Sequence, residues 1–201
     1  KMADSVRQIA AQTDPVGQII DGYVRPNGLR IEKMRVPIGV VLIIYESRPN
    51  VTSDAAALCI KSGNAVVLRG GKESIHSNSA IADVIRKAVA SQGVNENIVQ
   101  LVNTTDRAAV GHLLKMQGRI DLAIPRGGES LIRAVVEQAR IPVIKHYTGN
   151  CHVYVDQYAA GLGEGVARDI CVNAKTQRTG VCNAAETMLF HANAAPVMVD
   201  T

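Results

Sequence analysis

Tryptophan is absent from this 201-residue chain, and phenylalanine occurs once. That leaves few rings on which single-stranded bases could stack, and the net charge is a mild, scattered +4, so nucleic acid is not an expected partner. Long apolar runs are missing too. Although 47% of the residues are apolar, no run approaches the roughly 18 to 20 residues that span a bilayer, and no membrane span is expected. Cysteine is sparse: Cys59, Cys151, Cys171 and Cys182 lie far apart. They have neither the paired spacing of a zinc site nor the density of a disulfide framework. A reducing, cytoplasmic compartment and no metal fit that usage. The opening Lys1-Met-Ala-Asp-Ser-Val is amphipathic and mixed in charge rather than a signal peptide, and reads as the start of a piece cut from a longer chain.

What is present is alternation. A first helix ends at Asp14-Pro-Val-Gly17, after which two strand-like runs, Gln18 to Arg25 and Leu29 to Val36, flank Pro26-Asn-Gly28, a hairpin signal. Ile38 to Ile44 is a continuous apolar run of strand length, the kind buried on both faces of a sheet. Thr52 to Lys61 reads as a helix, capped by Thr52 or Ser53 and stopped by Gly63. Asn64 to Arg69 (strand), Ser77 to Ser91 (helix), Ile98 to Val102 (strand), Asp106 to Met116 (helix), Asp121 to Ile124 (strand) and Glu129 to Arg140 (helix) follow. Ile141 to Lys145 and His152 to Asp156 are strand-like, and a weaker helix leads into Asn173. This predicts an α/β fold with a doubly wound parallel sheet.

Ligands of such folds sit outside the carboxyl ends of the strands. The loops expected there are Tyr45-Glu-Ser-Arg-Pro-Asn50, Arg69-Gly-Gly-Lys72 and Pro125-Arg-Gly-Gly-Glu129. Each carries Arg or Lys, and two carry Gly-Gly, which bares backbone N–H groups beside a helix start. Together they describe a pocket for phosphates, whereas any one basic loop alone is usually a solvated surface. Gly70-Gly71-Lys72 is not a P-loop, because Glu73 follows where Ser or Thr would hold magnesium. Gly161-Leu-Gly-Glu-Gly165 lacks the spacing of a dinucleotide fingerprint and reads as the lead into a helix. His146, Cys151 and His152 do not make a metal site, since strand alternation points Cys151 and His152 to opposite faces.

The run from Asn173 to Thr187 holds Cys182 in a polar, cationic turn with a glycine, Gly180. A thiol attacks as its thiolate, a form favoured by neighbouring cations such as Lys175 and Arg178 or by the first turn of a following helix. On local chemistry alone Cys182 is either a nucleophile or a small buried hydrophobe.

Six motifs in order carry a resemblance. Val36-Pro-Ile-Gly-Val-Val41, Tyr45-Glu-Ser-Arg-Pro-Asn-Val51, Gly63 to Glu73, Ile124-Pro-Arg-Gly-Gly128, Cys151-His-Val-Tyr-Val-Asp156 and Asn173-Ala-Lys-Thr-Gln-Arg178 with Cys182-Asn183 are similar to those of the γ-glutamyl phosphate reductase family, within the aldehyde dehydrogenase superfamily. That family's chains are about twice as long. The resemblance implies a Rossmann-like nucleotide-binding domain with its helix and hairpin over residues 1–150, and the end of that domain with the opening of a catalytic domain over 151–201. Asn193 to Thr201 fit the pattern poorly.

It further implies NADPH-dependent reduction of L-glutamate 5-phosphate to L-glutamate 5-semialdehyde in proline biosynthesis, by a protein that is a homo-oligomer at full length. Cys182 would be the nucleophile, with Ser47 or Asn50 as oxyanion donor. Arg69, Gly70, Gly71 and Lys72 would meet the NADP ribose and its 2′-phosphate. Gly127 and Gly128 would border the pyrophosphate or nicotinamide, and Arg48, Arg178 and Asn183 would face substrate. Hydrolytic relatives activate water with a Glu before a Gly-Gly pair; Lys145-His-Tyr-Thr-Gly149 offers no carboxylate, which argues against oxidation to the acid. A nucleotide-binding module without catalysis is the other reading of a chain this short.

Overall fold

The computed structural model describes residues 1–145, 147, 149–163 and 165–194, with backbone alone for Ala160 and Leu162. Two compact units divide the chain, residues 1–145 and 146–201.

In the first unit, helix α1 (Met2–Ala11) precedes an antiparallel hairpin of β1 (Ile19–Val24) and β2 (Arg30–Met34). Gly28 closes it with φ +85°, donating its N–H to the Arg25 carbonyl at 2.9 Å. The turn expected from Pro26-Asn-Gly28 is therefore where the sequence places it.

The sheet that organises this unit has four parallel strands, β3 (Val40–Tyr45), β4 (Ala65–Arg69), β5 (Val99–Leu101) and β6 (Leu122–Arg126), in the order β5-β4-β3-β6. Strand β3 is buried on both faces, as its unbroken apolar run requires. Val41, Ile43 and Tyr45 pack on one side against Ala55, Ala56 and Cys59 of α2 (Pro49–Lys61) and Ile85 of α3 (Ile75–Ser91). Leu42 and Ile44 pack on the other against Val110 and Leu113 of α4 (Ala108–Leu113) and Leu131 and Val135 of α5 (Glu129–Gln138). Helices on both faces of a parallel sheet make it doubly wound. The chain runs outward from β3 through β4 to β5, then returns to place β6 on the far side of β3. The crevice between the carboxyl ends of β3 and β6 is thus the topological switch point.

Three local expectations change. Helix α2 begins three residues early, at Pro49, where a missing N–H costs nothing in the first turn, with Arg48 at the N-cap. Thr52 and Ser53 are therefore not caps but buried helical residues. Ile141 to Lys145 forms no strand; a single parallel bridge joins Ala123 to Val143. The end of α2 matches its reading: Gly63 adopts φ +71°, and Asn64 N–H reaches back to the Cys59 carbonyl at 2.8 Å.

The second unit is a small βαβ arrangement. Parallel strands β7 (His152–Val155) and β8 (Thr187–Phe190) are joined through α6 (Val166–Thr176), over a core of Val155, Cys171 and Ala194. Gly165, at φ +77°, caps the start of α6, so the glycine run there serves as the lead into a helix. Among the described residues, no helix is long and apolar enough to cross a membrane.

Candidate active site

The carboxyl ends of β3, β4 and β6 lie side by side because the strands are parallel and in register: Ile44 pairs with Arg69 and with Pro125, and Tyr45 pairs with Arg126. This brings the three anion-suited loops of the sequence together. Their geometry differs from an open phosphate pocket in one respect, because carboxylates already tie the loops to each other.

Glu46 follows β3 and spans the switch point. Its backbone N–H donates to the Arg126 carbonyl at 3.2 Å, and its side-chain Oε1 accepts the Gly128 N–H at 3.1 Å. Gly128 is the N-cap of α5, so a negative charge sits at the positive end of that helix. A Cβ on Gly127 would stand 2.6 Å from the Glu46 carboxyl carbon, so a side chain there would push the Glu46 carboxylate out of its present place.

Glu73 plays the matching part between β3 and β4. Ser47 Oγ donates to its Oε2 at 2.9 Å. The Glu73 carboxyl is held below its ordinary 4.5, first by a hydrogen bond from its own backbone N–H, then by Ser47, with Lys72 and Arg107 adding attraction. A Cβ on Gly71 would lie 2.8 Å from Glu73 Oε2 and 3.3 Å from the Ser47 nitrogen. The Gly-Gly pair therefore allows two loops to touch.

Behind them lies a buried polar chain. The Tyr45 hydroxyl and Thr52 Oγ1 are 2.7 Å apart, Thr52 donates to Asn78 Oδ1 at 3.1 Å, and Asn78 Nδ2 donates to Ser74 Oγ at 3.2 Å. Gly70 abuts this chain; a Cβ there would be 2.2 Å from Asn78 Nδ2. Burial pushes the Tyr45 hydroxyl up, against a smaller lowering by Thr52.

The cations divide into two kinds. Arg69 is 8% exposed and donates to the carbonyls of Gly70 (2.8 Å), Thr105 (3.2 Å) and Asp106 (3.3 Å), fixing the loop after β5 to that after β4. Lys72 and Arg48 are exposed. Asn50, in the first turn of α2, donates one amide N–H to Asp54 at 3.3 Å and keeps a second.

In the second unit, Cys182 is exposed, as are Arg178, Gly180 and Asn183. Asn173 and Lys175 belong to the last turns of α6. Cys182 lies in a turn closed by Ala184 N–H on the Val181 carbonyl at 3.1 Å. The apolar segment after it is β8, not the helix that one reading of the sequence placed there. Among the described residues, no helix begins between Cys182 and β8. Cys151, one residue before β7, donates its Sγ–H to the Cys182 carbonyl at 3.3 Å. Cys59 and Cys171 are buried, and burial pushes the Cys59 thiol up to about 11. His146, Thr148 and 195–201 lie outside the described residues, and with them part of the Lys145 to Gly149 stretch.

Sequence reasoning missed Glu46 and Glu73, because it weighed the basic residues of these loops and not the acidic ones. The signal was present: a Glu at the end of a buried strand, beside a strand whose loop opens a helix, finds unpaired N–H groups to accept from.

Residues 1–201 match the aldehyde dehydrogenase family over their full length. A γ-glutamyl phosphate reductase of Rhodopirellula baltica is 58% identical over 194 residues, 96% of this chain and 44% of that protein. The crystal structure of γ-glutamyl phosphate reductase from Thermotoga maritima matches with a TM-score of 0.84 at 43% identity, over 99% of this chain and 48% of that one. A propionaldehyde dehydrogenase of Rhodopseudomonas palustris, solved with propionyl-CoA, shares the fold with a TM-score of 0.72 at 21% identity, over 98% of this chain and 43% of that one. The chain spans about half the length of the curated relatives it matches. Its parallel sheet, its loops and its matched length agree, and the chain belongs to the aldehyde dehydrogenase family.

Proposed function

We propose that the protein carrying this chain reduces L-glutamate 5-phosphate to L-glutamate 5-semialdehyde with NADPH, releasing inorganic phosphate, a step of proline biosynthesis. The observation that carries the reading is the exposed thiol of Cys182, set in a turn between α6 and β8 in a chain whose relatives bear that reductase's name.

Cys182 attacks the acyl-phosphate carbon as thiolate, forming a carbon–sulfur bond and a tetrahedral oxyanion. Collapse breaks the carbon–oxygen bond to phosphate, which departs with the electron pair and leaves a thioester. When bound, a reduced nicotinamide would supply the hydride for the second step. Loss of the Cys182 thiolate from the reduced carbon then gives the aldehyde and restores the nucleophile. The oxyanion needs fixed donors. The Ser47 hydrogen is committed to Glu73, whereas Asn50 retains a free N–H, so Asn50 is the stronger candidate of the two. Arg48, Arg178 and Asn183, all exposed, suit the substrate's phosphate and carboxylate.

For the cofactor, Lys72 is the exposed cation at the end of β4 and suits a 2′-phosphate. Arg69 supports that loop from behind through three carbonyls. Gly70 and Gly71 keep its backbone close to the loop after β3. With the Glu46 carboxylate on the Gly128 N–H, the Gly127-Gly128 loop suits the nicotinamide rather than the pyrophosphate, which a carboxylate would repel.

The test is an assay of the full-length protein in the reverse direction, with glutamate semialdehyde and NADP. Reduction of NADP that requires inorganic phosphate supports the proposal; oxidation that proceeds equally well without phosphate overturns it.

A further inference from the structure

Cys182 has a sulfur neighbour that the proposed reaction does not use. Cys151 directs its Sγ at the Cys182 carbonyl oxygen from 3.3 Å, which places that sulfur within about 6 Å of the Cys182 Cα by bond lengths alone. Hydrogen bonds tie the Cys151 backbone and the segment after Cys182 to their neighbours. The Cys151 carbonyl accepts the N–H groups of Glu186 (2.9 Å) and Thr187 (3.2 Å), at the start of β8. On the other side, Ala185 N–H is held by the Ala174 carbonyl of α6 at 3.0 Å. Cys182 is exposed and Cys151 partly so, while Cys171 of the same unit faces its core at 6% exposure. Gly180 has nothing within 4 Å of where a Cβ would be, so the turn bearing Cys182 has room to adjust. A disulfide needs Cα atoms about 4.4 to 6.8 Å apart, so closing the bond would take rotation of the exposed Cys182 side chain together with whatever shift of its turn that spacing requires.

We propose that Cys151 and Cys182 form a peroxide-responsive thiol pair, with Cys151 as the resolving cysteine. The Cys182 thiolate attacks one oxygen of hydrogen peroxide; the O–O bond breaks, sulfur is oxidised to sulfenic acid and hydroxide leaves. The Cys151 thiolate then attacks the sulfenyl sulfur; the S–S bond forms, the S–O bond breaks and a second hydroxide departs, each taking a proton as water. Two thiols are oxidised by two electrons and one peroxide is reduced to two waters. The disulfide masks Cys182 and shields it from irreversible oxidation. That this also halts turnover rests on the function proposed above, but formation of the bond does not.

The test treats the protein with hydrogen peroxide, blocks remaining thiols, digests without reductant and maps the peptides by mass spectrometry. Cys151 and Cys182 should leave the free-thiol pool together, in one cross-linked peptide pair that dithiothreitol restores to full thiol content. Cys151→Ser keeps a hydrogen-bond donor to the Cys182 carbonyl but has no sulfur, so its Cys182 should pass to sulfinic and sulfonic acid that dithiothreitol does not reverse. Cys182 oxidised while Cys151 stays free in the wild type, a bridge from Cys182 to Cys171 or Cys59, or a Cys182 that peroxide leaves reduced would each overturn the proposal. Peroxide-linked thiols without phosphate-dependent turnover would leave the pair standing and remove the reductase.

Discussion

Glu46 and Gly128 join across the crevice between β3 and β6, carboxylate Oε1 to backbone N–H at 3.1 Å. A site that looks like an anion cradle in sequence thus carries an anion of its own, supplied by the neighbouring strand. Glu46→Ala should free the first turn of α5 and raise amide hydrogen exchange at Gly128. Glu46→Gln, which still offers an oxygen, should keep most of the protection. Equal exchange in all three proteins would show that the link has no influence on the loop.

The Ser47–Glu73 contact gives a pH prediction. Because the Glu73 carboxyl is held below 4.5 in the folded protein, its contribution is present above that ordinary value and is lost as pH falls through the lowered one. Carbon-detected NMR titration should place the Glu73 midpoint below 4.5, and Ser47→Ala should move it part of the way back up. A midpoint unmoved by that substitution would remove Ser47 as a cause.

Gly70 should be far more sensitive to alanine than Gly180. At Gly70 the added carbon would stand 2.2 Å from Asn78 Nδ2, whose side chain is fixed by Thr52 and Ser74. Overpacking of this kind costs about 1–3 kcal/mol. Gly180 has open space around it, and the change there should stay within about 0.5 kcal/mol. Thermal unfolding of both variants checks the contrast.

Thiol labelling should follow burial and charge. At pH 8 a thiol titrating near 11, as Cys59 does, is thiolate in about one molecule per thousand. Timed alkylation with peptide mapping should therefore mark Cys182 first and Cys59 and Cys171 last. Equal, slow marking of all four would deny Cys182 any special access.

Much of the fold is legible in the sequence, for identifiable reasons. The apolar run ending in Ile44 has no polar face, so only a strand covered on both sides accommodates it. Gly28 and Gly63 stand at positive φ, where the sequence puts a turn and a helix stop. The helix start at Pro49 was less visible because Thr52 and Ser53 are good caps in isolation; tertiary packing buries them instead, with Thr52 bonded to Tyr45 and Asn78. Ile141 to Lys145 has strand composition but finds one bridge through Val143. At the site, the sequence locates the loops and the thiol. The partners of Glu46, Arg69 and Cys151 depend on which strands become neighbours, 82 residues apart for Glu46 and Gly128, and local pattern does not encode that.

The central claim is that Cys182 is the nucleophile. Phosphate-dependent NADP reduction should be measured in the full-length protein and in its Cys182→Ser variant, with unfolding curves showing both to be equally folded. Loss of more than about a thousandfold in kcat, as expected when a covalent nucleophile is removed, is the predicted result. A variant that retains turnover within about tenfold of the parent would contradict it.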